Sequence, residues 1–69
     1  MRKLVGRNVR WVREQRELTQ EALAEKVGFS QQYLSDLENG KRNPTIITLY
    51  EIAKALGASV EDLIRAGKK

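Results

Sequence analysis

The sequence has no cysteine, no histidine and a single proline among its 69 residues. Disulfides and the usual zinc sites are therefore excluded as supports for a small fold. The same absences remove the commonest general base and the most reactive nucleophile, and the chain shows no glycine-rich phosphate loop and no carboxylate cluster at metal spacing. We expect a protein that is not an enzyme and that binds no metal and no cofactor. The lack of cysteine also fits a cytoplasmic location.

Long apolar runs are missing as well. No run approaches the roughly 18 residues of a membrane span, and no signal peptide is visible, so no membrane partner is expected. The length suits one domain, residues 1–69, whose core is near the lower practical limit and whose stability must come from helix packing. It leaves no room for a separate ligand-binding domain, so no small-molecule ligand is expected. Thirteen basic against nine acidic residues give a net charge of +4, which suits a polyanionic partner.

The central stretch, residues 19–40, predicts two short helices joined by a tight turn. Thr19 is a good N-cap for the first helix, and Ser30 is a good N-cap for the second. Gly28 lies where the first helix should end, because glycine adopts a left-handed backbone at little cost. Only Gly28 and Phe29 separate that helix from the next cap. A join this short forces the two helices to cross steeply, as in a helix-turn-helix.

The second of these helices, helix three of the chain, has two different faces. Leu34 and Leu37 are predicted to point inward, whereas the outer face carries four hydrogen-bonding side chains: Gln31, Gln32, Ser35 and Asp36. Glutamine can form a bidentate pair with adenine, serine can donate or accept, and aspartate can accept from the cytosine amino group. The alternative is a polar face that only solvates a surface helix. The tight turn and the basic loop that follows favour base recognition.

A basic loop, residues 39–43, follows helix three directly. Pro44 disfavours helical backbone for Asn43 and keeps this segment a loop. Lys41 and Arg42 can reach phosphates beside the groove, and Asn43 can add a neutral contact. Gln20 and the amides at the start of helix two offer a second phosphate site, strengthened by the helix dipole. An ordinary charged loop is the alternative for the two cations.

The first helix is predicted from valines that recur at helical spacing between residue 4 and about residue 16. Arg13 falls four residues after Val9, at the edge of that apolar stripe, where a charge needs a partner or a route to solvent. Glu38 occupies the matching position on helix three, four residues after Leu34. The spacing predicts a structural ion pair between Arg13 and Glu38; two independent solvated charges are the alternative.

The C-terminal third predicts two more helices. Residues 45–56 form the fourth, with an apolar stripe at helical spacing. Ser59 and Asp62 have the form of a capping box for a short fifth helix that runs through Ala66. The residues outside 4–66 are expected to fray. The stripe of the fourth helix consists of Ile46, Leu49, Ile52, Ala53 and Leu56.

Taken together, these residues resemble the xenobiotic-response-element family of helix-turn-helix regulators, which includes the lambdoid phage repressors and Cro. The matching residues spread over about residues 4–66, and the densest matches are residues 19–24, 37–40 and 59–63. The resemblance implies an all-α, compact five-helix, lambda-repressor-like domain with the helix-turn-helix at helices two and three. It implies double-stranded DNA as the partner, with helix three in the major groove.

The resemblance also assigns roles to single residues. It implies base contacts for Gln31 and Gln32, and a phosphate or base-edge contact for Gln20. Asp36 departs from the family pattern, which leaves open the bases read there. Tyr33 is larger than in some relatives; it either touches phosphate or a thymine methyl, or covers the core edge. The full set of expected DNA-contact residues is Gln20, Ser30, Gln31, Gln32, Tyr33, Ser35, Asp36, Lys41, Arg42 and Asn43.

Members of this family usually bind palindromic operators as homodimers, with half-sites roughly 34 Å apart. Apolar residues that the predicted core does not use suggest Ala58, Val60 and Ile64 as dimer contacts. Ile47 and Trp11 are secondary candidates, and for Trp11 packing within the monomer is the alternative. We therefore expect a cytoplasmic, nucleoid-associated transcriptional regulator, a repressor rather than an activator. The competing hypothesis is a protein-interaction module, for example an antitoxin-type partner, and RNA binding is a more distant one. A protein interface would more often present aromatic or aliphatic anchors than glutamines.

Overall fold

Five helices make up the computed structural model, which describes residues 2–65. They are α1 (Arg2–Gln15), α2 (Gln20–Val27), α3 (Gln31–Glu38), α4 (Ile46–Leu56) and α5 (Val60–Ile64). Residues 2–65 contain no strand, so the all-α, five-helix prediction is confirmed. Among residues 2–65, every helix is too short or too polar to span a bilayer.

The core lies where the apolar faces of all five helices meet. Helix α1 packs against α3 and α5, and α2 packs against α3 and α4. Burying each large aliphatic side chain contributes about 1.5–3 kcal/mol, which is how a chain this short can stay folded without a disulfide. The largest side chains that are fully buried are Leu23, Leu34, Leu37, Ile52, Leu63, Val5 and Val9.

Each of α2, α3, α4 and α5 begins at a hydroxyl N-cap. The side chains of Thr19, Ser30, Thr45 and Ser59 each accept a hydrogen bond from the amide three residues later. The predicted capping box also forms, since the Ser59 amide donates to the Asp62 carboxylate at 3.2 Å. Each cap of this kind contributes about 1 kcal/mol. Local sequence signals therefore set four of the five helix starts.

Three predicted details are wrong. Helix α1 begins at Arg2 rather than at residue 4, and α5 ends at Ile64, because the backbone of Arg65 is extended. The predicted last residue of α5, Ala66, lies outside the described residues. The apolar stripe predicted for α4 includes Ile46, yet this residue is 66% exposed. It is the first residue of α4, and the core begins one turn further along.

The turn between α1 and α2 contains an unexpected backbone conformation. Glu17 has φ of 58°, in the left-handed region where glycine is usual. The amides of Glu17 and Leu18 donate to the carbonyls of Glu14 and Arg13, which closes the end of α1. The Arg13 side chain adds a third bond to this turn, because its Nη1 donates to the Leu18 carbonyl at 2.7 Å.

Helix α1 approaches the end of α3 closely at Gly6. A Cβ added there would collide with the Leu37 carbonyl oxygen and lie 2.7 Å from the Glu38 carbonyl oxygen. Both obstacles are backbone atoms at the C-terminus of α3, so a side chain cannot turn aside to make room. Helix α1 can lie this near to α3 only because residue 6 has no side chain.

Replacing Gly6 with alanine should therefore destabilise the protein. Overpacking costs about 1–3 kcal/mol, and the gain from alanine as a better helix former is only about 1 kcal/mol. We expect the free energy of unfolding, measured by urea denaturation, to fall by about 1–2 kcal/mol. Arg7→Ala, at the next and exposed position of α1, is the control and should change it by less than about 0.5 kcal/mol. A gain in stability for Gly6→Ala would contradict the close approach.

A candidate nucleic-acid interface

The helix-turn-helix is formed by α2, α3 and the turn between them. Gly28 ends α2 with φ of 91°, and the Phe29 amide donates to the Ala24 carbonyl at 2.9 Å. The hydroxyl of Ser30 then accepts from the Tyr33 amide at 3.1 Å and starts α3. Leu34 and Leu37 are fully buried, as their spacing predicts. The opposite face of α3 is left pointing outward.

Four polar side chains share one shallow depression on that outward face. Gln20 comes from the start of α2, and Gln31, Gln32 and Ser35 come from α3; together they line a volume of about 230 Å³, which we call the polar depression. Both glutamines of α3 are exposed, whereas Gln20 and Ser35 are half-buried. The structure thus brings together, from two different helices, residues that the sequence assigns to DNA contact.

Gln20 is held in place by the ion pair beneath it. The Arg13 Nε donates to Glu38 Oε2 at 2.7 Å, and Arg13 Nη2 donates to Glu38 Oε1 at 3.1 Å, which is the pair predicted from helical spacing. Gln20 Nε2 donates to the same Glu38 Oε1 at 3.0 Å. The Arg13 and Glu38 side chains retain only 10% and 2% of their exposure. The buried pair therefore connects α1 and α3 to a side chain of the polar depression.

Asp36 lies beside the polar depression, and both of its carboxylate oxygens face a partner. Its Oδ1 accepts from Gln32 Nε2 at 3.0 Å, and its Oδ2 lies 3.9 Å from the Arg42 Nε. The sequence pattern predicts a base-reading role for Asp36 and indicates neither of these contacts. The separation of Gln32 and Asp36, four residues on one helix, is a signal that could have revealed the first contact.

Tyr33 covers the edge of the core rather than standing free. Its ring packs edge-to-face on Phe29, with the two ring centroids 4.9 Å apart. The guanidinium of Arg42 lies over the Tyr33 ring, 5.2 Å from the ring centroid. The ring is half-buried against the core cluster. Tyr33 therefore covers the core edge and contacts Arg42, and its contact with a phosphate or a thymine methyl stays a prediction.

The basic loop leaves α3 through a well-defined helix end. Gly40 has φ of 78°, and the Lys41 amide donates to the Asp36 carbonyl at 2.8 Å. Lys41, Arg42 and Asn43 are all exposed. Two cations and a neutral donor are therefore exposed just after the C-terminal end of α3.

The residues proposed for dimer contacts lie on another part of the surface. Ala58 and Val60 are half-buried and line a groove of about 430 Å³ together with Tyr50 and Lys54 of α4. Ile64 is 36% exposed. Trp11 packs against the core within the monomer.

Comparison with known proteins agrees with this geometry. A family model described as helix-turn-helix matches residues 9–63. An uncharacterised HTH-type transcriptional regulator of Sinorhizobium fredii is 59% identical over 64 residues, which cover 93% of this chain and 83% of that protein. Control protein C.SmaI of Serratia marcescens is 40% identical over 70 aligned positions, covering 100% of this chain and 83% of that protein.

Among solved structures, the clp gene regulator ClgR from C. glutamicum superposes with a TM-score of 0.89 at 36% identity, over 91% of this chain and 81% of that chain. The matched segment of the family model includes all of α2, α3, α4 and the basic loop. The chain belongs to the helix-turn-helix family of transcriptional regulators, of the Cro/C1 type.

Proposed function

We propose that this regulator recognises a specific sequence in double-stranded DNA by placing α3 in the major groove. The observation that carries the proposal is the polar depression, where Gln31, Gln32 and Ser35 project beside Gln20 with no apolar side chain lining the same volume. The major groove admits a helix, and glutamine carboxamides match the donor and acceptor pattern of adenine. A protein-binding surface would instead offer apolar anchors at this place.

The flanking residues support a division between positioning and reading. Lys41, Arg42 and Asn43 are exposed just after α3, and Gln20, at the start of α2, lines the polar depression. Contacts of these groups with phosphates would fix the register of α3 on the duplex without carrying sequence information. In this proposal Ser30 and Tyr33 support the geometry, and their outer atoms add backbone contacts.

We further propose that the protein acts as a homodimer on an inverted repeat. The groove at α4 and α5, lined in part by Tyr50, Ala58 and Val60, provides apolar surface for a second copy. Two copies related by a two-fold axis would place their α3 helices on half-sites about 10 base pairs apart. A protein that covers the major groove in this way excludes other proteins from the same DNA, so repression is the output we propose.

Selection from a random duplex pool with the purified protein tests these proposals. Enrichment of an inverted repeat with half-sites about 10 base pairs apart, centre to centre, is the expected result. It would also supply the operator sequence. Enrichment of a single half-site would contradict the proposed dimer but support the proposed sequence recognition. Failure to enrich any sequence, with the protein shown to be folded by circular dichroism, would favour the protein-interaction module.

Substituting Gln32 tests the assignment of the base-reading residues. Gln32→Ala should weaken binding to the selected operator by about 1–3 kcal/mol and relax the preference at one base position, because a bidentate pair is lost. Competition binding against operators that vary at each position measures both effects. The control is Gln15→Ala, which removes a glutamine from a separate depression beside Trp11 and should leave the preference unchanged. Unaltered selectivity in Gln32→Ala would place the reading residues elsewhere.

A further inference from the structure

The carboxylate of Asp36 lies one helical turn beyond Gln32 and contacts it directly. Gln32 Nε2 donates to Asp36 Oδ1 at 3.0 Å, while Asp36 Oδ2 faces the Arg42 guanidinium at 3.9 Å. The Asp36 side chain is 23% exposed, and Arg42 is stacked on the ring of Tyr33. An acidic side chain thus lies between Gln32 of the polar depression and Arg42 of the basic loop, and its two oxygens are both directed at these neighbours.

The contact limits how the Gln32 carboxamide can be oriented. A carboxamide has one acceptor oxygen and two N–H donors on one nitrogen. When one N–H is donated to Asp36, the second N–H and Oε1 remain, and these are the donor and acceptor that adenine N7 and the N6 amino group require. The flipped carboxamide would place Oε1 against a carboxylate oxygen, two acceptors with no proton between them. Asp36 therefore favours one of the two orientations.

We propose that Asp36 is a positioning residue that sets the base preference of Gln32 without contacting a base itself. The proposal rests on the proposed DNA recognition and deepens it by naming the origin of specificity at one position. The negative charge of Asp36 opposes the approach of phosphates of every sequence, so it lowers affinity uniformly. The fixed carboxamide raises discrimination. Asp36 thus lowers the affinity for DNA of any sequence and raises the selectivity for the operator. Its pairing with Arg42 reduces the repulsion between its charge and the phosphates.

The isosteric substitution Asp36→Asn tests this division of effects. An asparagine at position 36 can accept or donate, so Gln32 becomes free to flip, and one negative charge is removed from the surface. We expect tighter binding to unrelated duplex DNA and a fall of about tenfold in the ratio of operator to non-operator affinity. The loss of preference should be confined to the base position that Gln32→Ala also relaxes. Asp36→Ala, which removes the contact altogether, is the second variant and should behave similarly.

A double-variant cycle separates positioning from direct reading. If Asp36 acts through Gln32, adding Asp36→Asn to Gln32→Ala should cause no further loss of selectivity. If Asp36 reads a cytosine amino group itself, the two losses will add and a second base position will relax, which would overturn the proposal. Glu51→Gln is the matched control, because it removes the same charge from the exposed part of α4. It should change neither selectivity nor the position of any preferred base.

A measurement without DNA keeps this proposal distinct from the proposed function. In the ¹⁵N-resolved NMR spectrum of the free protein, the side-chain amide protons of Gln32 should shift in Asp36→Asn and stay in place in Glu51→Gln. A Gln32 resonance that does not respond to Asp36→Asn would overturn the positioning role even if the parent protein selects an operator. A parent that selects no sequence would instead overturn the DNA recognition on which the proposal depends.

Discussion

Replacing Arg13 with alanine is expected to lower the free energy of unfolding by about 3–5 kcal/mol. The substitution leaves the Glu38 carboxylate, whose side chain is 2% exposed, with Gln20 as its remaining side-chain donor. It also removes the bond from Arg13 Nη1 to the Leu18 carbonyl, which closes the turn after α1. The expected loss is a large share of the roughly 5–15 kcal/mol that stabilises a typical domain. Urea denaturation followed by circular dichroism measures it.

Arg10→Ala is the matched control for this experiment. Arg10 lies on the same helix and pairs with Glu14 at 3.2 Å, but its side chain is 59% exposed, so its loss should change stability by less than about 1 kcal/mol. An Arg13→Ala loss no larger than the Arg10→Ala loss would contradict a stabilising role for the buried pair. The double substitution Arg13→Met with Glu38→Leu should recover much of the lost stability, because no buried charge is then left unpaired.

The elements that the sequence predicts well are those whose signals are local. Thr19 and Ser30 are recognisable caps, and each bonds the amide three residues later as expected. The Arg13–Glu38 pair was predictable although its partners are far apart in sequence, because each residue lies four positions after a core residue on its own helix. Helical spacing carries that information. The apolar stripes follow from helical spacing in the same way, except for Ile46, which lies in the first turn of α4 and is exposed.

Features that depend on how close two helices come were not predictable. Gly6 carries no distinct signal in the sequence, and its role follows only from the carbonyl oxygens of Leu37 and Glu38 that lie against it. Asn8 gave no signal either, yet its buried side-chain amide donates to the carbonyls of Leu63 and Arg65 and holds α5 on α1. No periodicity encodes these distances, because they result from the packing of the whole core.

The candidate site also combines features that the sequence predicts with features that it does not. The outward residues of α3 follow from the periodicity of Leu34 and Leu37, and the structure groups Gln31 and Gln32 with Gln20. The carboxylate contacts of Asp36 and the attachment of Gln20 to Glu38 were not anticipated, because composition and spacing specify a face and not the rotamers on it. Those rotamers decide which polar atoms remain available to a base.

Salt should weaken DNA binding strongly if the proposed interface is correct. In the proposed homodimer each copy contacts phosphates through Lys41, Arg42 and the start of α2, which makes about six phosphate contacts. Counterion release then predicts that affinity falls by about 10³-fold between 50 and 200 mM salt. Fluorescence anisotropy with a labelled operator, repeated across that range, measures the slope of log K against log salt. A nearly flat response with a bound operator would contradict the phosphate contacts.

Lys41→Ala identifies where the released counterions come from. Loss of one phosphate contact should reduce the magnitude of the salt slope by about one per half-site and weaken all sequences about equally, since phosphates carry no base identity. Lys26→Ala is the control: it removes the same charge from the exposed last turn of α2, outside the basic loop. If both variants flattened the slope equally, the effect would reflect net charge alone. A change confined to Lys41→Ala would assign the backbone contact to the basic loop.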